Sequence, residues 1–186
     1  IEAMKHFAGS KGKVSNFYCD NAPQLITAAI ACQWRLSTAT TEMAQTNGVA
    51  ERSVRTVKEG SICGIVQSGF STKGWPDAGE HFCFSKNFAL VDGDSSYTRR
   101  HGRGRFKGER IPFGAFVDFM PQPDTKLDAM GGRTMPGVFV GHHTHAGGFW
   151  SGDYLVADYA PVKKDCDVGR AKVKVHRTKE EVKNLN

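Results

Sequence analysis

Two carboxylates, Asp20 and Glu51, stand where a divalent ion could be held. Asp20 closes the short apolar run Val14, Phe17, Tyr18, Cys19, which reads as a buried strand. Glu51 lies near the start of segment 48–68, GVAERSVRTVKEGSICGIVQS, the clearest helical pattern in the chain. A sheet fixes a carboxylate at a strand end, and packing fixes one in a first helical turn. If the helix crosses that strand end, both reach one Mg2+, which prefers oxygen ligands and leaves positions for water and phosphate. Two such ions about 4 Å apart activate an attacking oxygen and stabilise a leaving one. Both residues also suit plain capping roles, and their separation alone does not choose between the readings.

Arg55 and Lys58 follow Glu51 on neighbouring turns of one helix face. They read either as a solvated salt-bridge face or as contacts for a phosphate backbone leading towards Glu51. Asn47, with Gly48, forms a turn before the helix and would let a polynucleotide approach the backbone closely. A rival metal reading comes from His142, His143 and His145. Neighbours in a strand point to opposite faces, so these three do not all converge on one ion. Exposed turn histidines are expected, with adventitious zinc or nickel capture as the alternative.

The elements that must position these groups follow from periodicity and punctuation. Residues 2–8 read as the last turns of a helix, GSKGK as a turn, and 24–33 as a helix with Pro23 near its first position. WRLST reads as a second short strand, TTEMAQTNG as a connection and GFSTKGWPDAG as a loop. In 48–68, Val49, Val54, Val57, Ile62, Ile65 and Val66 form a broad apolar face. HFCFSKNFAL, beginning near Pro76, gives a short helix with Trp75 as a hydrophobic anchor. Four β-like runs follow, IPFGAFVDFM, MPGVFVGHH, DYLVADY and AKVKVHR, separated by Gly-, Pro- and Asp-rich turns and suited to a small bent sheet or barrel.

The formal net charge is +6, and its distribution matters more than its size. Segment 99–110 carries six basic groups, including Arg99, Arg100, Arg103, Arg105 and Lys107, against one acidic group, whereas 114–160 carries two against five. Such a stripe attracts phosphate backbones, although basic runs are also ordinary solvated surface. The five cysteines are widely spaced without a C-x-x-C pair, which indicates reduced thiols and an intracellular compartment. No apolar run is long enough to span a membrane.

CDNAP and QTNGVAERSVRTVKEG together resemble the integrases of Copia-type long-terminal-repeat retrotransposons, part of the Pol polyprotein. The resemblance makes Asp20 the second catalytic acid, Glu51 the third, and Lys58 the lysine that contacts element DNA. QSGFSTKGWPDAGEHFCFSKN looks like the helices after the glutamate. IPFGAFVDF, TKLDAMGGRTMPGVFVGHH and WSGDYLVAD resemble the SH3-like region downstream, with His142 where that family has a tyrosine. The implied fold class is α/β: a truncated ribonuclease H-like core followed by a small β-rich SH3-like domain. Its expected divisions are a partial catalytic core over 1–92, a basic linker over 93–108, the SH3-like region over 109–177 and a tail over 178–186.

Only nineteen residues precede Asp20, so the strand bearing the family's first acid is expected to be missing. The Asp20-to-Glu51 interval of 30 residues is shorter than the family's, and TTEMA replaces its proline-tyrosine element. The resemblance implies nucleic-acid binding and DNA integration, Mg2+ held by Asp20 and Glu51, element and target DNA as partners, and a nuclear site of action. Self-association or assembly with the rest of the polyprotein is the further partner expectation. A non-catalytic assembly module or a degenerate remnant is the alternative.

Overall fold

A computed structural model describes residues 1–10, 12–39, 48–102, 106–121, 125, 132–165, 173–179 and 183–184. The architecture is mixed α/β with small sheets. It divides into two compact units: Ile1–Thr56 with Thr144–Phe149, and Val57–His143 with Trp150–Asn186. The division cuts the long helix rather than falling within 93–108.

The first unit opens with α1 (Glu2–Ala8), which ends at Gly9 in a left-handed backbone, φ 72°. Gly147 donates its N–H to the His6 carbonyl at 2.7 Å, satisfying one of the carbonyls that the helix end leaves open. A Cβ on Gly9 would lie 2.9 Å from the Gly147 Cα, so the two backbones approach as closely as only glycine permits.

Strands β1 (Phe17–Cys19) and β2 (Leu36–Thr38) pair in parallel, with Cys19 opposite Thr38. Helix α2 (Pro23–Ala31) joins them and packs on both, burying Ala29 completely. Parallel neighbours need such a crossover. Pro23 starts α2 where a missing N–H costs nothing. Both expected strands and the helix between them are present.

Helix α3 (Gly48–Ser68) matches its expected span, but not its expected face. Residues 49–55 are exposed on every side, with Val49 at 78% and Val54 at 69%. Further along, Ile65 and Ser61 are buried, while Ile62 and Val66 are exposed. The apolar positions are spread too widely around the helix for one packing partner to cover them.

In the second unit a 3-10 turn (Thr72–Gly74), capped by the Ser71 hydroxyl, leads into α4 (Trp75–Phe88). This helix begins within one residue of its expected start near Pro76. Trp75 is 64% exposed and is not the anchor its size suggested. Ala78, Phe84 and Phe88 are the buried apolar side chains instead, with Asp77 buried beside them in the chain.

The expected linker also has structure. Hairpin strands β3 (Leu90–Val91) and β4 (Asp94–Ser95) run into α5 (Ser96–His101), whose N-terminus is capped by Ser95 and whose Tyr97 is buried.

Strands β5 (Phe116–Phe119), β6 (Met135–His145) and β7 (Phe149–Asp158), then β8 (Val175–Thr178) and β9 (Lys183–Asn184), form a sheet in the order β8-β7-β6-β5-β9. Helix α6 (Tyr159–Asp165) follows β7. All four expected β runs contribute strands.

Apolar side chains of β6 and β7 fall into two clusters. Val138, Val140 and Ala157 pack with Ile65 of α3 and Ala78 of α4. Phe139 and Val156 pack with Val117, Phe119 and Tyr154. Burial on both faces explains why MPGVFVG reads as a continuous apolar run rather than an alternating one.

Gly137 is held to glycine by this packing. A Cβ there would run into the Val156 side chain and the Phe119 ring, whereas one on Gly141 would meet nothing. Gly137→Ala is expected to lower unfolding stability by about 1–3 kcal/mol, and Gly141→Ala by less than about 0.5 kcal/mol. Urea denaturation of the pair checks this; equal effects would refute the packing argument.

Candidate functional site

Asp20 stands just beyond β1, exposed, and its Oδ1 accepts the Ala22 N–H at 3.4 Å. This bond turns the chain into α2. Beside it Asn21 donates its side-chain N–H to the Ala39 carbonyl at 3.3 Å, tying the ends of the two strands. Burial pushes the Cys19 thiol pKa up, and the Asp20 charge pushes it further the same way.

Glu51 is exposed in the first turn of α3. Among the described residues no hydrogen bond or ion pair joins Asp20 to Glu51, and neither belongs to a cluster of three or more metal-ligating groups. One oxygen of Asp20 is committed to a turn, and both side chains are open to solvent.

The basic candidates divide by element. Arg55 and Lys58 are exposed on α3, and no ion pair among the described residues engages either. Arg99 and Arg100 are exposed in the last turn of α5, with Arg99 Nε 4.0 Å from an Asp94 carboxylate oxygen. Lys107 is exposed as well. Asn47, Arg103 and Arg105 lie outside the described residues.

The histidines depart most from expectation. His142 is buried, not exposed at a turn. Its ring lies among Phe84, Phe106, Phe139, Trp150 and Tyr154, with centroids 4.8–5.7 Å away. Its Nε2 faces the Glu109 carbonyl at 3.2 Å and therefore donates, while Nδ1 is buried without a hydrogen-bond partner. Burial lowers its pKa from 6.5 to about 4, against a raising effect of the Glu109 bond and with a further lowering by His81. His81 stacks on it at 6.3 Å and bonds the Ile111 carbonyl through its own Nε2 at 3.0 Å. Contact between Phe139 and His142, three residues apart, means that strict alternation along β6 is broken between them.

His143 and His145, two apart, share one side of the strand, as the period of two requires. With Asp153 of β7 they bring one ligand atom each to within 4.8 Å of one another, a group able to hold a metal ion. The Asp153 side chain is buried, and its Oδ2 accepts from Arg177 Nη2 and from Ser151 Oγ at 2.8 Å. Burial alone would raise this carboxyl's pKa; the Arg177 and Ser151 hydrogen bonds and the charges of Arg177 and Lys179 outweigh it and leave it lowered. Sequence spacing pairs the two histidines but gives no sign of Asp153, because strand pairing supplies it.

Neither the scan against family models nor the search of curated proteins finds a match to this chain. Among the described residues no helix is long and apolar enough to cross a membrane.

Proposed function

We propose that this chain is a DNA-binding module derived from a Copia-type integrase, with α3 presenting phosphate contacts that lead towards Glu51. The observation that carries this reading is the exposed series Glu51, Arg55 and Lys58 on one helix, its two cations engaged by no ion pair among the described residues. Solvated cations of this kind bind phosphate by releasing condensed counterions. The CDNAP and NGVAER motifs support the integrase assignment by resemblance. So does their setting, with Asp20 at the end of a parallel strand and Glu51 in a first helical turn. In this reading the five-stranded sheet is the counterpart of the family's SH3-like region, and Arg99, Arg100 and Lys107 add sequence-independent contacts. Mg2+ enters only by resemblance, at Asp20 and Glu51.

Fluorescence anisotropy with a labelled DNA duplex tests the reading. Binding is expected in the range of about 10⁻⁴ to 10⁻⁶ M and to weaken steeply with salt. The Arg55→Gln/Lys58→Gln double variant is expected to reduce the log–log salt slope by roughly 2, one for each phosphate no longer neutralised. Salt-insensitive binding, no binding at low ionic strength, or an unchanged slope in the double variant would each sink it.

A second reading, a protein-assembly module, draws on the exposed Val49, Val54, Ile62 and Val66 of the same helix. Large uncovered apolar surface favours association. A discrete DNA-free oligomer in size measurements supports that reading, and a well-behaved monomer rejects it.

A further inference from the structure

We infer that the β6–β7 hairpin binds a zinc-class divalent ion through His143, His145 and Asp153. The inference is independent of the DNA-binding reading. His143 and His145 are two residues apart on one strand, and Asp153 comes from the strand beside it, so the hairpin alone assembles the donors. Its connection is short, closed by the Gly148 N–H donating to the His145 carbonyl at 2.9 Å. The three ligand atoms are already gathered within 4.8 Å. Around tetrahedral zinc, with bonds near 2.0–2.1 Å, such atoms stand about 3.4 Å apart.

The donor chemistry selects the ion. Two imidazoles and one carboxylate suit zinc and its transition-metal neighbours, whereas magnesium and calcium require oxygen-rich sites. The Asp153 carboxylate is held ionised by its Arg177 and Ser151 bonds, both of which fall on Oδ2. The bonds to Oδ2 fix the plane of the carboxylate, as outer-shell partners do at protein metal centres. Three protein donors leave one tetrahedral position for water. The arrangement differs from the Asp20 and Glu51 pair in ligand type and in element.

Zinc titration against a chromophoric chelator, on the full chain carrying Cys63→Ser to remove an exposed thiol as a rival, tests the inference. One equivalent is expected to bind, and His145→Ala is expected to weaken it at least tenfold, because an exposed side chain can be removed without disturbing the core. Asp153→Asn also disturbs the Arg177 pair, so His143→Ala serves as the second variant, with circular dichroism confirming that each protein is folded. Cobalt substitution should give the absorption of a nitrogen- and oxygen-ligated tetrahedral ion, abolished in His145→Ala. No zinc uptake, equal affinity in His145→Ala, or a cobalt spectrum dominated by thiolate charge transfer would each overturn the inference.

Discussion

Phe139→Ala should lower the unfolding free energy by about 3–5 kcal/mol, the range for removing a large aromatic side chain from a closed core. Phe139 is completely buried at the centre of β6, among Ile111, Val117, Phe119, Tyr154 and Val156. It also touches the rings of His81 and His142, at 5.8 and 5.3 Å. Truncation therefore leaves a cavity walled by both aliphatic and aromatic groups. Domains have about 5–15 kcal/mol of net stability, so the loss is a large share of the total. Urea denaturation at neutral pH measures it, with Phe139→Leu as a companion that keeps most of the volume and should cost substantially less. A loss below about 1 kcal/mol for Phe139→Ala would mean that the core is not closed at this position.

The second large effect is acid destabilisation through His142. Its folded pKa is near 4, against 6.5 for the free side chain. Between those values the unfolded chain binds a proton that the folded chain refuses, so stability rises with pH across the window and is lost as pH falls through it. Each pKa unit corresponds to about 1.4 kcal/mol, which makes the loss from pH 7 to pH 4 about 3 kcal/mol from this group. His81 contributes in the same direction, since burial lowers its pKa despite the Ile111 bond.

The cause is spatial: a charge on His142 would have to sit among Phe84, Phe106, Phe139 and Trp150, and one on His81 beside Phe113 and Phe139. Denaturation midpoints measured with a chelator present, between pH 4 and pH 7, should show the slope. His142→Leu should be less stable at pH 7, because it cannot donate to the Glu109 carbonyl, but should flatten the profile. A wild-type midpoint unchanged across that interval would contradict a buried neutral His142.

Much of the fold was legible because local signals and packing agree. Pro23 at the start of α2, the apolar run ending at Cys19 and the Gly48–Ser68 helix all follow from periodicity and capping. The four β runs were legible for the same reason. The segment 93–108 was not, because its charge hid a Ser95 cap, a buried Tyr97 and a Gly102 in the left-handed backbone at φ 61°. Phe106 stacks on Phe88 at 4.3 Å, a contact between distant positions that no local pattern announces.

The candidate site was legible unevenly. Glu51, Arg55 and Lys58 could be placed on one helix from spacing alone. The roles of the histidines could not, since they depend on a local break in the alternation of β6 and on which residue of β7 lies beside it. His142 went inward as a neutral core group, and His143 and His145 gained Asp153 from across the sheet.

The bare first two turns of α3 have a thermodynamic consequence. No side chain from Val49 to Arg55 is buried, so these turns are held by backbone hydrogen bonds and by propagation from the packed half beginning near Val57. A helix supported at one end frays from the other. Any polyanion grasping Glu51's neighbours must therefore still those turns as it docks, and its observed affinity is smaller than its contacts alone would give.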